Sequence, residues 1–131
     1  MVSEEQERLA KIVLNAAFEV HTHLGPGLLE SAYQACLLFE LKQRGLSVES
    51  EKPLPVFYKG IHIDCAYRLD ILVEKDKLII ENKSVNEIKD IHLAQILSYM
   101  RLSGISLGFI FNFNVRSLKD GIRRVVLNDN R

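Results

Sequence analysis

Apolar residues recur at helical spacing through Leu9, Ile12, Val13, Ala16 and Val20, with polar residues between them, which predicts an amphipathic first helix. Ser3 followed by Gln6 has the form of a capping box at its start, and Gly25-Pro26 stops it. A second helix follows the Gly-Pro-Gly break and runs to about Arg44, with Gly45 as its C-terminal stop. Its apolar members are Leu29, Ala32, Tyr33, Cys36, Leu37 and Leu41. From Val48 to Tyr58 the pattern is extended, and Pro53 and Pro55 make it an irregular or edge strand. Lys59-Gly60 turns the chain into Ile61-His62-Ile63. Tyr67 to Ser84 then reads as two β-runs rich in Ile, Leu and Val, joined by the charged turn Glu74-Lys75-Asp76-Lys77. A third helix is expected from about Glu87 to Leu102, capped by Asn86, with Leu93, Ile96, Leu97 and Met100 on its apolar side and Gly104 as its stop. Leu107 to Phe113 reads as a buried strand, and a last strand covers roughly Ile122 to Leu127.

The order α-α-β-β-β-β-α-β-β predicts an α/β (α+β) fold in which one mixed central sheet is flanked by helices. The helix between two late strands has the place of a crossover joining parallel neighbours. No repeat, linker or low-complexity tract interrupts the chain, so residues 1–131 are expected to form a single domain.

Three charges sit badly in this apolar pattern: Asp70, Glu81 and Lys83. Side chains alternate along a strand, so Glu81 and Lys83 share one face and Asn82 points to the other. A hairpin closing at Glu74–Lys77 or at Val73–Leu78 has one register, with Asp70 opposite Glu81 and Arg68 opposite Lys83. Two carboxylates and an ammonium then meet on one patch. Close carboxylates repel, and a hard divalent cation between them relieves the repulsion. A surface hairpin with cross-strand ion pairs accounts for the same spacing.

Composition narrows the field only slightly. A hydrophobic content of 47% and a charged content of 26% describe an ordinary globular protein. The formal net charge is zero, so no global basic field advertises nucleic-acid binding. The start MVSEEQERLA is acidic and polar, unlike a signal peptide, and no apolar run is long enough to span a membrane. A cytoplasmic location is expected. Cys36 and Cys65 lack metal-ligand spacing and are expected as buried free thiols. His21 and His23, two apart near a helix end, point in different directions and are expected at the surface. Glu30 in the first turn of its helix complements the helix dipole.

Gly27-Leu28-Leu29-Glu30-Ser31-Ala32-Tyr33 resembles the pattern of the GxxExxY protein family, which is grouped with the PD-(D/E)XK nuclease superfamily. The resemblance covers nearly the whole chain. Asp70 is similar to the strand aspartate of that superfamily, Glu81-Asn82-Lys83 to its E-x-K, and Gln95-Ile96-Leu97-Ser98-Tyr99 to the Q-x-x-x-Y helix motif of its exonuclease-like branch. Glu30 matches the acidic residue often supplied by an early helix. Leu69 stands where a proline often precedes the aspartate, and Asn82 occupies a position that is usually apolar.

The resemblance implies a restriction-endonuclease-like core and a Mg²⁺-dependent phosphodiesterase, with Mn²⁺ as an alternative ion. Asp70, Glu81, the carbonyl of Asn82 and Glu30, directly or through water, are the implied metal ligands. Lys83 would orient or activate the attacking water, and Gln95 would hold the site or a phosphate. The expected partner is nucleic acid, DNA ahead of RNA, with a homodimer also open and no membrane involved. The rival reading is a non-catalytic nucleic-acid-binding or protein-assembly module on the same fold.

Overall fold

The computed structural model describes residues 1–64 and 67–128. Helices α1 (Glu4–Leu24) and α2 (Glu30–Gln43) lead into strands β1 (Val48–Pro53), β2 (Val56–Tyr58), β3 (Ile61–Ile63), β4 (Arg68–Val73) and β5 (Leu78–Lys83). Helix α3 (Asp90–Ser103), strand β6 (Leu107–Asn112), a 3₁₀ turn (Leu118–Gly121) and strand β7 (Ile122–Val126) complete the chain. The element types follow the expected order with one strand added. Pro53-Leu54-Pro55 breaks the extended run between Val48 and Tyr58, and β2 pairs with β3 as a separate two-stranded ribbon.

The main sheet has the order β1-β4-β5-β6-β7. All neighbours are antiparallel except β5 and β6, which run parallel because α3 carries the chain back between them. This mixed sheet covered by helices has the expected architecture. β1 is an exposed edge, which is where Pro53, having no N–H to give, is tolerated.

Both faces of the sheet are covered. Ile71, Val73, Leu78, Ile80, Phe109 and Phe111 pack with Leu9, Val13 and Leu37 from α1 and α2. Leu72, Ile79 and Ile110 pack with Ile96, Tyr99 and Met100 of α3 on the other side. Burying such side chains contributes about 1.5–3 kcal/mol each. Gly108 lets α3 approach β6, since a Cβ there would lie 3.1 Å from both Ile96 Cδ1 and Met100 Sδ.

The capping box forms: Ser3 Oγ accepts the Gln6 N–H at 3.1 Å, and Gln6 Oε1 accepts the Ser3 N–H at 2.8 Å. The Gln6 amide also donates to the Lys77 carbonyl and to Ser106 Oγ, tying the start of α1 to the β4–β5 turn and the start of β6.

Four local expectations are corrected. His21 is buried, with Nε2 2.8 Å from the Val115 carbonyl, because the last turn of α1 packs against the loop after β6; only His23 is at the surface. Leu29 is 77% exposed, since it precedes the first turn of α2 instead of belonging to the helix face. Asn86 does not cap α3. Asn112 holds the chain just upstream by accepting the Val85 N–H and donating to the Val85 carbonyl, so the helix starts later, after Lys89. Cys36 is a free thiol but only half-buried, and Cys65 lies outside the described residues. No helix among the described residues is long and apolar enough to cross a membrane.

Candidate active site

The hairpin closes at Val73–Leu78, and the ladder continues through Leu72–Ile79 to Ile71–Ile80. The next pair in that register is Asp70 and Glu81, and there regular pairing stops on both sides of β4. The β1–β4 ladder runs through Ser50–Ile71 and resumes at Lys52–Leu69, skipping Asp70. Glu51, the residue it would face, has φ 53°, a left-handed backbone that an L side chain rarely adopts.

Released from the ladders, Asp70 finds other partners. Its Oδ2 accepts the Asn82 N–H at 2.9 Å, and its main-chain carbonyl accepts Gln34 Nε2 at 2.7 Å. A main-chain hydrogen bond runs from Asp70 to the Glu81 carboxyl. The two acidic residues are thus clamped to each other's strands.

Alternation along β5 sends Ile80 toward α1 and α2, and Ile79 toward α3. Glu81 accordingly faces the α3 side and Asn82 the α2 side. Glu81 is 6% exposed, and its pKa is pushed up to about 9. Loss of solvation is the largest cause, followed by repulsion from the Asp70 carboxylate and the hydrogen bond between the two side chains; the Asp70 main chain and the Lys83 ammonium pull the other way. Glu81 therefore carries a proton at neutral pH when no cation is bound. Asp70, Glu81 and Lys83 are brought together as the register required.

Tyr99 is buried in the α3-side core, with its hydroxyl in a hydrogen bond with the Gln95 side chain. Its pKa is raised, first by burial and then by the nearby charges of Glu81, Tyr67 and Asp70, against the Gln95 hydrogen bond. Gln95 thus reaches the acidic pair through the tyrosine hydroxyl.

Glu30 stands on the opposite layer. It lines a cleft of about 370 Å³ together with Gln34, Glu51, Asp70 and Asn82. The local sequence explains how it is held there. Gly27, with φ 98°, bends the chain ahead of α2 and donates its N–H to Asn114 Oδ1. Tyr33 is fully buried, stacks on Phe113 at 4.6 Å, donates its hydroxyl proton to the Gly25 carbonyl and accepts the Leu28 N–H. Ser84, immediately after Lys83, donates to the Leu28 carbonyl at 2.7 Å. Gly27 and Tyr33, three residues to either side of Glu30, together with Ser84 fasten the start of α2 to the end of β5 and its following loop, and so fix where Glu30 stands.

Gln34 is the residue that sequence reasoning missed. Besides its bond to Asp70, its Oε1 accepts from Asn82 Nδ2 at 2.5 Å. Its position four residues after Glu30, on the same helix face, is the signal that could have found it.

Two buried side-chain oxygens among the described residues have no hydrogen-bond partner: Glu81 Oε1 and Asn82 Oδ1. Unpartnered buried oxygens are costly, and here they belong to adjacent residues at the end of β5, one on each side of the sheet. Hard oxygen donors with one carboxyl that cannot ionise alone suit a divalent cation such as Mg²⁺. No three His, Cys, Asp or Glu side chains among the described residues gather tightly enough to hold an ion by themselves. The residues fit an ion that takes two protein carboxylates and completes its shell with main-chain oxygen, water or substrate.

A mixed five-stranded sheet between helix layers, with carboxylates clustered where a hairpin ladder gives out, is a restriction-endonuclease-like arrangement. A sequence profile of the PD-(D/E)XK nuclease superfamily matches residues 7–125, and the chain belongs to that superfamily. No match is found among curated proteins or among solved structures. Nucleases of this superfamily typically use divalent metals, and their substrate is nucleic acid.

Proposed function

We propose that the chain is a Mg²⁺-dependent phosphodiesterase acting on nucleic acid, DNA ahead of RNA. The observation that supports it best is the unpartnered buried Glu81 oxygen beside the Asp70 carboxylate. Asp70 and Glu81 would hold the cation, with the carbonyl of Asn82 as a third ligand, and Glu30 would reach it through water from across its cleft. When bound, the ion neutralises phosphate charge and makes water a better nucleophile at neutral pH.

The chain's own groups do the rest. The Lys83 ammonium, close enough to lower the Glu81 pKa, orients the attacking water and counters charge on the phosphate. Gln95 holds the Tyr99 hydroxyl against the acidic pair. Gln34 fixes the Asp70 main chain and the Asn82 side chain, so the ligand set keeps its geometry without help from the ladder.

Calorimetric titration with Mg²⁺ or Mn²⁺, alongside cleavage of labelled single- and double-stranded DNA and RNA, tests this reading. Asp70→Ala and Glu81→Ala should lose both metal binding and cleavage. Lys83→Ala should keep most of the metal affinity while cleavage falls by roughly 10²-fold or more. Wild-type protein that binds no divalent ion at millimolar concentration would end the proposal. The zero net charge favours a second reading, a non-catalytic binding or assembly module. A protein that binds metal yet cleaves none of the four substrates would select it.

A further inference from the structure

The α3 side of the sheet, which Glu81 also faces, carries a second cleft, of about 450 Å³, that none of the proposed metal ligands lines. One wall is Tyr67, whose ring lies 5.9 Å from that of Tyr99 at an angle of 53°. Ile91 and Leu102 supply apolar surface from α3, while Gln95 and Ser98 supply hydrogen-bonding edges. Tyr67, Ile91 and Leu102 are 45%, 69% and 45% exposed, which is an unusual concentration of large apolar side chains at a cleft mouth. Tyr99, which lines the cleft, packs with Leu69, next to Asp70 on β4, and with Ile79, which shares its face of β5 with Glu81. A ligand seated here therefore lies on the same side of the sheet as the Glu81 side chain.

We infer that this cleft is a subsite for one unpaired nucleobase of the strand whose phosphate lies at Asp70 and Glu81. The inference rests on the nuclease reading for the identity of the strand. Its own support is chemical. An aromatic and aliphatic wall with a few amide and hydroxyl groups matches a planar heterocycle, which presents π-faces to stack and a polar edge to hydrogen-bond. The volume admits a single base with its sugar, which a duplex supplies only by releasing a nucleotide from the stack. Charge balance points the same way. With 17 basic and 17 acidic residues, the chain has no net positive charge to draw a phosphate backbone, which gives stacking a larger share of the affinity. The preferred substrate class is thus a single strand, an overhang or a frayed end.

The test is fluorescence anisotropy with Ca²⁺ in place of Mg²⁺, a hard divalent cation that can sit between the carboxylates and the phosphate but activates water poorly. It compares a labelled single-stranded DNA oligonucleotide with an abasic strand of equal length and with the blunt duplex. Wild-type protein should bind the base-bearing strand at least ~10-fold more tightly than either competitor, within the range of one stacked base. Tyr67→Ala should remove that advantage and Tyr67→Phe should keep it. Ser98→Phe, placed on an exposed helix position, should block the cleft and also remove it. Equal binding of the base-bearing and abasic strands, or binding of neither, overturns the inference, as does a Tyr67→Ala variant with an unchanged preference. Cleavage assays report separately: a protein that cleaves without base-dependent binding retains the nuclease reading and loses the subsite. Base-dependent binding lost in Tyr67→Ala, in a protein that never cleaves, retains the subsite and loses the nuclease.

Discussion

Two neighbouring stretches of β5, Leu78 to Ile80 and Glu81-Asn82, are both buried and chemically opposite. Leu78, Ile79 and Ile80 are wholly buried, and their residues are matched to β4 in a regular ladder. Glu81 and Asn82 are as deep, but the β4 ladder has ended, and each keeps a side-chain oxygen without a partner. On the β6 side the ladder continues without interruption from Ile79–Gly108 to Lys83–Asn112. One strand is thus held straight by one neighbour while the other lets go. The lesson is that this fold uses its apolar half as an anchor, and spends part of that stability on burying carboxyl chemistry in the next turn of the pleat.

The sharpest way to break the anchor is Ile80→Ala. It removes most of a side chain with no exposed surface and should cost about 3 kcal/mol, lowering Tm by roughly 12 °C. Thermal unfolding by circular dichroism checks it, and a loss as small as that of a surface substitution would contradict the assigned burial.

Glu81→Gln should act in the opposite direction. In the metal-free wild type the folded protein holds the Glu81 proton up to about pH 9, whereas the unfolded chain releases it near the ordinary carboxylate value. Between those limits the folded state binds the extra proton, so stability falls as pH rises through that window and levels off above it. An amide in place of the carboxyl has no proton to lose and carries no such dependence. The variant's Tm advantage over wild type should grow steadily from pH 5 to pH 9 in EDTA, by several degrees. Parallel Tm–pH curves for the two proteins would mean that Glu81 is not shifted.

Gln34→Ala sharpens the comparison from the other layer. It strips one hydrogen bond from the Asp70 carbonyl and one from the Asn82 amide, and should cost about 1–2 kcal/mol. If Gln34 positions the ligands, Gln34→Glu should weaken Mg²⁺ binding less than Gln34→Ala, because its carboxylate still accepts from Asn82. The smallest stability effect is expected for Lys83→Ala. Removing the ammonium takes away a force that lowers the Glu81 pKa, so the Glu81 titration followed by carboxyl NMR should move further up while Tm at pH 6 barely changes.

The acidic pair was legible in the sequence because a four-residue turn leaves one register, and register decides which side chains face each other across a hairpin. The crossover was legible too, since a helix between two apolar runs returns the chain to a parallel neighbour. What escaped depended on residues far along the chain. His21 is polar and near a helix end, and only the Val115 carbonyl, 94 residues away, makes its burial reasonable. The late start of α3 follows from Asn112, whose amide extends the β5–β6 pairing onto Val85 where no local pattern could announce it. Gln34 resembles any solvent-facing helix residue until Asp70 and Asn82 are laid beneath it.

The clamp between the two acidic strands has a kinetic side. Asp70 and Glu81 meet across a short hairpin, which forms in microseconds, while α3, the layer that Glu81 faces, follows later in the chain and must still fold and dock. The carboxyls are therefore apposed in water first and dried afterwards. Drying is the moment at which Glu81 must take up its proton, so folding of the metal-free chain near neutral pH is a proton-uptake reaction. Refolding should slow as the pH is raised toward 9, to the extent that α3, the layer Glu81 faces, is already docked at the barrier, and unfolding should release the same proton into a weakly buffered solution.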